Sequence, residues 1–359
     1  MIKYYTRACN FKYGSTAKEL IKKKRALPLC GDKSISFNEI EIITRNKDKI
    51  YSKIINYKNI SSLSSPQRNK VIKDLKNITS KRKNFLKHIN FIEPSIMGII
   101  NLTPDSFSDG GKFNKKKKAE KHILEMIQGG ARIIDVGGES TRPGSQEVSI
   151  EQELKRVLPV ISGLRSMSST IPISIDTRNH EVARQALDAG ATIINDVSGL
   201  RSQEMIDLVL DRKVPVCIMH MLGKPKTMQQ NPSYRNVVNE VSTELLSTAQ
   251  QLIDAGHNPN KICLDPGIGF GKTLEHNLLI LKNLNIIRKL GHPVAIGTSR
   301  KSFIGEILDL PIEDRIEGTA ATVAIAIAKN VDLIRVHDVK EMIRVAKMSD
   351  AIIRGWDFK

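Results

Sequence analysis

The feature that most constrains this chain is an eightfold alternation of short apolar runs and longer stretches with helical spacing. In the longer stretches, such as residues 151–164 and 180–190, apolar residues recur every three to four positions. Gly190 ends the second of these as a helix C-cap would. The eight short runs are residues 96–101, 132–138, 172–177, 192–197, 215–220, 262–267, 293–299 and 333–338.

Such runs are typical of strands that are buried on both faces. Strands of this kind joined by helical crossovers indicate a parallel sheet. Eight strand and helix units within residues 91–359 predict an α/β fold, a (β/α)8 TIM barrel. An open, doubly wound sheet stays an alternative at this point, because periodicity does not show whether a sheet closes.

The first 90 residues are left over, since a barrel of this kind takes about 250 residues. The chain has 359 residues and a formal net charge of +18. Residues 1–95 hold 22 Lys and Arg against 7 Asp and Glu, and the rest of the chain holds 34 against 31. We therefore predict a small basic N-terminal extension, residues 1–90, of unknown role. Residues 57–72 suggest a linker into a basic helix around residues 70–88.

The basic charge of the extension invites a nucleic-acid hypothesis. Its clusters at residues 22–25 and 81–83 lack the interleaved aromatic side chains that stack on bases. We favour a solvated surface over a nucleic-acid patch. No apolar run is long enough to span a membrane, and the polar start lacks a secretory signal, so we expect a soluble, cytoplasmic protein. The cysteines have no metal-type spacing and are expected to be reduced thiols.

Polar residues stand at the C-terminal ends of all eight predicted strands. In a barrel these ends face one mouth, so their side chains converge on one pocket. The end residues are Asn101, Glu139, Asp176, Asn195, His220, Asp265, Ser299 and Arg335 with His337.

This set divides into two kinds of chemistry. Asp176, Asn195 and Asp265 suit the edge of a flat nitrogen heterocycle that bears several N–H groups. A second group is cationic, or can become so, and suits phosphate or carboxylate. It comprises Arg142, Arg300, Lys301, Arg335 and His337. Asn101 offers a neutral oxygen ligand, which suits a Mg²⁺ ion held mainly by substrate phosphates and water.

Seven motifs, which follow one another in unbroken order along the chain, resemble those of a known protein family. They are IMGIINLTPDSFSDGG from Ile96, DVGGESTRPG from Asp135, INDVSG, MHMLGKPKTMQ, LDPGIGFGK, GTSRKSFIG and IRVHDV. They resemble the dihydropteroate synthase family of pterin-binding barrels over about residues 94–355. The resemblance implies that 4-aminobenzoate attacks 6-hydroxymethyl-7,8-dihydropterin diphosphate, which gives 7,8-dihydropteroate and diphosphate. It also implies a Mg²⁺ cofactor, a homodimer, and sulfonamides that compete for the aminobenzoate site.

The resemblance assigns roles to individual positions. The pterin edge would be held by Asp176, Asn195, Asp265 and Lys301, and the diphosphate by Arg142, Arg335 and His337. Asn101 would be the Mg²⁺ ligand, and the aminobenzoate pocket would contain Phe107, Thr141, Pro143 and Ser302. The residues expected to act in the reaction itself are Asp176, Lys301, Asp105, Phe107 and Asp109.

The turn-forming residues after the first strand predict a loop that closes over the mouth. In this loop Phe107 would provide an apolar wall for the aminobenzoate ring. Asp105 and Asp109 would bring negative charge near the reacting methylene, where positive charge develops. This is a lid hypothesis that depends on the composition of the loop and on the resemblance.

Two alternatives stay open from the residues. The first is a methyltetrahydrofolate-dependent methyltransferase of the same family, which would not need the diphosphate-binding cations. The second is an inactive barrel whose basic N-terminal segment binds nucleic acid or a protein. The glycines of residues 267–271 do not fit a phosphate-binding loop, because the spacing of both known glycine motifs fails there. We interpret them as a tight turn beside the pterin.

Overall fold

A computed structural model gives the fold of the chain and describes residues 2–46, 49–81, 85–86, 89, 91, 93–102, 112–140, 145, 147–288 and 290–355. The chain divides into two compact units. The first comprises Met1–Lys83, Arg288–Gly291 and Met348–Lys359, and the second comprises Asn84–Ile287 and His292–Lys347.

The first unit is a small antiparallel sheet with two helices. The sheet is formed by strands β1 (Ile2–Tyr13), β2 (Leu27–Leu29), β3 (Asp32–Asn46) and β4 (Lys49–Asn56). The long β3 pairs with β1, β2 and β4. Helix α1 is Gly14–Lys22 and helix α2 is Ser65–Thr79. Phe37, Ile40 and Ile42 of β3 are buried in the same apolar core as Val71, Leu75 and Ile78 of α2.

The linker and helix predicted in this segment are wrong in their bounds. Tyr57–Ser62 is a 3₁₀-helix, and α2 begins at Ser65 with a proline in its first turn. Proline is favoured there because the first backbone N–H groups of a helix have no partner inside it. Val71, Leu75 and Ile78 recur at helical spacing and are buried, so α2 is part of the core of this unit.

The second unit contains eight parallel strands in the order β10, β9, β8, β7, β6, β5, β12, β11. Their bounds are β5 Ser95–Asn101, β6 Ile133–Gly137, β7 Ile173–Asp176, β8 Ile193–Asp196, β9 Val216–Met219, β10 Ile262–Asp265, β11 Ala295–Gly297 and β12 Leu333–Val336. The sheet closes between β10 and β11, where Leu264 forms a parallel bridge with Val294 and its N–H donates to the Pro293 carbonyl at 2.9 Å. The predicted (β/α)8 barrel is confirmed, and the open sheet is excluded.

Helices separate the barrel strands, as the alternating pattern predicts. They are α3 Lys112–Gln128, α4 Ile150–Met167, α5 His180–Asp188, α6 Gln203–Arg212, α7 Val237–Asp254, α8 Leu274–Lys282, α9 Leu284–Arg288, α10 Ser302–Leu308, α11 Ile316–Ala328 and α12 Val339–Arg354. Several begin at polar side chains that accept a backbone N–H of the first turn, for example Ser149 before α4 and Thr273 before α8. No helix in the described part of the chain is long and apolar enough to cross a membrane.

The interior of the barrel is built in layers. The lower layer is apolar, and Phe85, Ile89 and Phe91 belong to the same buried cluster. Its strand residues are Met97, Ile133, Ile193, Cys217, Cys263, Ala295 and Leu333. Side chains alternate between the two faces of a strand, so the residues two positions later also point inward. These include Asp135, Asn195, Asp265 and Arg335, and the layer toward the mouth is therefore polar. All four cysteines of the chain are free thiols.

Candidate active site

One wall of the barrel mouth is a row of neighbouring strand residues. The parallel register pairs Asn101 of β5 with Gly137 of β6. Gly137 is paired with Asp176 of β7, and Asp176 with Asn195 of β8. Register partners point to the same face of a sheet, so Asn101, Asp176 and Asn195 project together into the barrel. A Cβ at Gly137 would lie 3.6 Å from both Asn101 Oδ1 and Asp176 Cβ, which is an ordinary contact distance, so these two side chains flank Gly137.

Arg335 of β12 reaches across the barrel to two carboxylates. Its Nε donates to Asp135 Oδ2 at 2.6 Å and its Nη2 donates to Asp176 Oδ2 at 2.5 Å. Asn195 Nδ2 donates to the same Asp135 oxygen at 3.2 Å. Burial lowers the pKa of Arg335, but Asp135 and Asp176 outweigh this effect and raise the pKa above its usual range. The guanidinium therefore stays charged and joins β12 to β6 and β7.

Asp176 has one carboxylate oxygen with a partner and one without. Oδ2 accepts from Arg335, whereas Oδ1 is buried and accepts no hydrogen bond from any residue that the structure describes. Burial raises the pKa of this carboxyl to about 7, and Arg335 opposes the rise. A buried acceptor without a partner costs free energy unless a ligand supplies the missing donor. Asp176 Oδ1 is thus a prepared acceptor for an N–H group in the mouth.

Asp265, the last residue of β10, begins the glycine-rich turn. Its Oδ1 accepts from the backbone N–H of Gly267 at 2.7 Å. Burial raises the pKa of Asp265, while Lys301 lowers it. Gly267 has a φ of +65°, and a Cβ there would lie 1.9 Å from the His220 carbonyl oxygen. Only glycine fits this position, which confirms the tight turn predicted for residues 267–271.

Lys301 extends over this glycine-rich turn. Its Nζ donates to the Ile268 carbonyl oxygen and lies 4.6 Å from the centre of the Phe270 ring. Burial lowers the pKa of Lys301 to about 8, although Asp265 raises it. A cation over an aromatic ring is stabilised by the negative face of the ring. Lys301 is therefore held beside Asp265 and presents a positive charge at the mouth.

Asn101, the last residue of β5, and His337, which directly follows β12, meet at the mouth. Asn101 Nδ2 lies 3.4 Å from His337 Nε2, and His337 Nδ1 lies 3.0 Å from the Ser299 hydroxyl. The Ser299 hydroxyl also accepts the backbone N–H of His337 at 3.2 Å. The predicted metal ligand and one predicted anion-binding side chain thus lie together.

Ser302 and Arg300 were also predicted to take part in the site, and the structure shows their surroundings. Ser302 is the first residue of α10 and is exposed. Arg300, which the sequence suggests as an anion-binding cation, forms a two-point ion pair with Asp338 at 2.9 and 2.5 Å. Arg300 thus shares its charge with Asp338, as Arg335 does with Asp135 and Asp176. Six predicted site residues lie outside the described residues: Asp105, Phe107, Asp109, Thr141, Arg142 and Pro143.

Sequence reasoning missed two side chains that shape the mouth. Asp135 is fully buried and bonded by Arg335 and Asn195, yet it lies inside an apolar run and not at its end. Its inward orientation follows from Ile133, two residues earlier in the lower layer. Phe270 faces Lys301 from the glycine-rich turn. An aromatic residue among turn formers was the available signal for it.

The mouth combines buried carboxylates, an amide, and cations fixed in place by them. Asp176 and Asp265 accept hydrogen bonds, and Asn195 can both donate and accept. A flat heterocycle with several N–H groups fits these functions. No group of three or more His, Cys, Asp or Glu in the described part of the chain has the arrangement of a metal cage. Asn101 fits a Mg²⁺ ion only if water and substrate supply the other ligands, which is the usual binding mode of this ion.

Comparisons with known proteins show which enzymes the chain is similar to. A family model described as pterin binding enzyme matches residues 97–337. A dihydropteroate synthase of Clostridium beijerinckii is 50% identical over 261 residues, which are 72% of this chain and 94% of that protein. The dihydropteroate synthase of Escherichia coli K12 is 43% identical over 271 residues, which are 76% of this chain and 96% of that protein.

Solved structures of the same kind superpose on the chain. Yersinia pestis dihydropteroate synthase in complex with a sulfonamide drug matches with a TM-score of 0.70 and 39% identity, over 74% of this chain and 96% of that one. Xanthomonas albilineans dihydropteroate synthase in complex with 7,8-dihydropteroate matches with a TM-score of 0.67 and 38% identity, over 74% of this chain and 95% of that one.

Proposed function

Because the chain belongs to the family of pterin-binding enzymes, we propose that it is a dihydropteroate synthase that joins 6-hydroxymethyl-7,8-dihydropterin diphosphate to 4-aminobenzoate in folate biosynthesis. The enzyme is a transferase, and its substrates are small molecules. The observation that carries this conclusion is the 50% identity to a dihydropteroate synthase over 94% of that relative's length. The polar barrel mouth supplies the chemical groups that such a reaction needs.

We propose that the pterin binds against Asp176, Asn195 and Asp265. The pyrimidine edge of a pterin carries an amino group and a ring N–H, which are donors. The two carboxylates are acceptors, and Asp176 Oδ1 has no donor within the described part of the chain. Lys301 and Asn195 would donate to the nitrogen and oxygen acceptors of the ring. Charge-assisted hydrogen bonds of this kind are stronger than neutral ones, so they would fix the plane of the pterin.

The cations would act on the diphosphate. Arg335, His337 and Arg142 are proposed to neutralise its charge, because a leaving group departs more easily when developing negative charge is stabilised. Asn101 would be the protein ligand of Mg²⁺ in the complex. When bound, the ion supplies Lewis-acid stabilisation of the leaving diphosphate.

The reaction itself needs no strong base. The bond from the pterin methylene to the diphosphate oxygen breaks, and the electron pair leaves with the diphosphate. The amine lone pair then forms the new C–N bond, and the nitrogen loses one proton to solvent. We propose that Asp176 and Asp265 stabilise positive charge that spreads from the methylene into the pterin. Asp105, Phe107 and Asp109, with Thr141, Pro143 and Ser302, are proposed to complete the aminobenzoate side, where sulfonamides would compete.

Formation of dihydropteroate by the purified full-length protein tests the proposed function. The protein is mixed with the pterin diphosphate, 4-aminobenzoate and Mg²⁺, and the product is detected by mass spectrometry. We expect dihydropteroate in an amount that rises with enzyme concentration, and less of it when a sulfonamide is added. Product that does not depend on the protein, or none at all, would refute the assignment. Methyl transfer from methyltetrahydrofolate is measured in parallel and is expected to be absent.

The pH dependence of kcat/KM for the pterin diphosphate should be bell-shaped. The proposed roles require an ionised Asp176, whose pKa is about 7, and a protonated Lys301, whose pKa is about 8. Activity is therefore lost as the pH falls through the first value and as it rises through the second. Steady-state rates over about pH 5 to 10 check this. A profile that is flat across this range would contradict the roles of both groups.

We also propose that the enzyme is a homodimer that pairs through three helices. Helices α8, α10 and α11 contact one another and carry large exposed apolar side chains. These are Leu278, Leu279, Ile307, Leu308 and Ile325, exposed by 38 to 51%. Neighbouring exposed apolar side chains often mark a contact with another protein molecule. A second copy of the chain is the proposed occupant.

Replacing Ile325 with Asp should convert the dimer to a monomer. The substitution places a charge in the apolar centre of the proposed contact, where burying it costs more than the contact gains. Light scattering coupled to size-exclusion chromatography measures the mass of each variant. Leu124→Asp, on an exposed position of α3, is the control and should remain dimeric. A wild-type mass of one chain would refute the dimer.

A further inference from the structure

Lys272 is a buried lysine at the end of the glycine-rich turn. Its side chain carries an ammonium group, yet the residue is only 2% exposed. Nζ donates to the carbonyl oxygens of Phe270 at 2.9 Å and His220 at 3.3 Å. It also lies 3.0 Å from His220 Nδ1. All three hydrogen-bonding positions of the ammonium are used, and all three partners are neutral acceptors.

This setting is unfavourable for a positive charge. Among the residues that the structure describes, no carboxylate lies within ion-pair distance of Lys272 Nζ. Burial lowers the pKa of Lys272 to about 7, while Asp265 raises it and Lys301 lowers it further. A buried charge without an ion partner costs several kcal/mol in general. Unfavourable groups of this kind are found mainly at functional sites, where binding or catalysis requires them in spite of the lost stability.

Lys272 joins two strand ends. His220 directly follows β9, and Phe270 lies in the turn that follows β10. The turn is pressed against the residues after β9, because a Cβ at Gly271 would lie 2.6 Å from the Leu222 carbonyl oxygen. The ammonium is placed at this junction and bonds to a carbonyl on each side of it.

The same turn is fixed at its other side by polar side chains. Asn277 Oδ1 accepts the Gly269 N–H at 2.8 Å, and Tyr234 donates its hydroxyl to the Gly271 carbonyl at 2.8 Å. Gln229 donates to the Gly269 carbonyl at 3.0 Å. A turn rich in glycine has many accessible conformations, so these bonds are needed to hold a single one.

The glycine-rich turn supports the side chain of Lys301. The Ile268 carbonyl accepts from Lys301 Nζ, and the Phe270 ring lies 4.6 Å from it. The Phe270 carbonyl is bonded to Lys272. A displacement of Phe270 therefore moves a residue that both lysines contact.

His220 connects Lys272 to the surface. Its Nε2 lies 3.4 Å from Glu244 Oε2, and the Glu244 side chain is 55% exposed. When Lys272 is protonated, it donates a hydrogen bond to His220 Nδ1, so the ring hydrogen is on Nε2 and points at Glu244. This tautomer is assigned from the hydrogen-bond partners. Glu244 thus orients the ring that accepts from Lys272.

We propose that Lys272 is a positioning residue for pterin binding: with His220 and Glu244, it locks the glycine-rich turn so that Ile268 and Phe270 hold Lys301 against the substrate. The inference rests on the proposed function, because it gives Lys272 a task in that reaction. The lysine does not touch the substrate. Its effect passes through the turn to Lys301.

Replacing Lys272 with Met tests the proposal, since methionine keeps the length of the side chain and removes the donors. We expect KM for the pterin diphosphate to rise about tenfold, because a displaced Lys301 would lose one charge-assisted bond to the pterin, which is worth about 1.5 kcal/mol. The KM for 4-aminobenzoate and kcat should stay within about threefold. A residue that merely stabilises the fold would lower the amount of active enzyme and leave both KM values unchanged. Lys282→Met, at an exposed position in the last turn of α8, is the matched control.

Glu244→Gln is the second variant, because its exposed position makes correct folding the expected result. It removes the charge that orients His220 and should raise the same KM by about threefold, without a change in thermal midpoint. If Lys272→Met leaves that KM within twofold of wild type, or if it does not fold and Glu244→Gln has no effect, the proposal is wrong. A wild-type protein that makes no dihydropteroate would refute the proposed function and this inference with it.

Discussion

Replacing Asp265 with Asn should lower kcat/KM for the pterin diphosphate by about 10³-fold. We assign Asp265 two charge-assisted hydrogen bonds to the pyrimidine edge, each worth about 2 kcal/mol. Their loss amounts to about 4 kcal/mol, and each 1.4 kcal/mol is a factor of ten. The asparagine oxygen can still accept the Gly267 N–H, so the turn should keep its conformation. Steady-state kinetics with varied pterin diphosphate measure the loss.

Asp196→Asn is a matched control for this prediction. Asp196 is a buried carboxylate at the end of β8, two strands away from β10, but it accepts from Ser198 and Leu200 of its own turn. The change should lower the thermal midpoint, because a buried acceptor is replaced by a group that can donate. KM for the pterin diphosphate should stay within about twofold. Equal losses of kcat/KM in the two variants would show that Asp265 has only a structural role.

Replacing Arg335 with Met should destabilise the barrel strongly. The guanidinium separates Asp135 and Asp176, and its removal leaves two buried carboxylates near each other without a cation. Breaking a buried ion pair at one partner costs about 3–5 kcal/mol. For a barrel of this size, 3 kcal/mol lowers the thermal midpoint by about 6–10 °C. Thermal unfolding followed by circular dichroism measures the change.

The loss of stability in Arg335→Met should grow as the pH rises. Burial already raises the pKa of Asp176, and without the cation that opposes this rise the pKa lies further above the unfolded value of about 3.9. Carboxyl groups with raised pKa values are protonated and tolerated at low pH, and they weaken the fold as they ionise. The loss should thus be larger at pH 8 than at pH 5. Arg300→Met, which breaks the more exposed pair with Asp338, should cost about 1 kcal/mol or less. Equal losses of stability in Arg335→Met and Arg300→Met would contradict the role of Arg335 between two buried carboxylates.

The barrel was accessible from the sequence because its strands are continuous apolar runs with polar ends. Burial on both faces allows little else than apolar residues between the ends of such a strand. For the same reason, the polar residues at the C-terminal ends of the runs include those that meet at the mouth, among them Asp176, Asn195 and Asp265. The bounds of the strands in the structure lie within one or two residues of the predicted runs.

The ion-pair partners of charged side chains could not be predicted from the sequence in this way. Arg300 and Arg335 are both cations at strand ends, but the first pairs with Asp338 and the second with Asp135 and Asp176. These partners are decided by distances across the barrel, which are not encoded in local spacing. Lys272 was missed because it reads as the end of a glycine turn, where an exposed lysine is common. Its burial follows from the packing of two strand ends.

The N-terminal segment was the least predictable part. Its strands β1 and β3 are 12 and 15 residues long and contain many Lys, Asn and Ser, so the apolar alternation is weak. Pairing with a neighbour over almost the full length of β1 compensates for this composition. The bounds of α2 were missed because its first turn, SPQ, resembles a loop. The role of this segment, residues 1–90, stays outside the proposed reaction.

The central claim is that one cavity at the barrel mouth binds the pterin, and a crystal structure of the protein with 7,8-dihydropteroate tests it most directly. We expect the pyrimidine edge to lie within about 3 Å of side-chain oxygens of Asp176 and Asp265, with Lys301 Nζ in contact with the same ring. Dihydropteroate bound elsewhere, or a pterin ring that contacts none of these three residues, would contradict it.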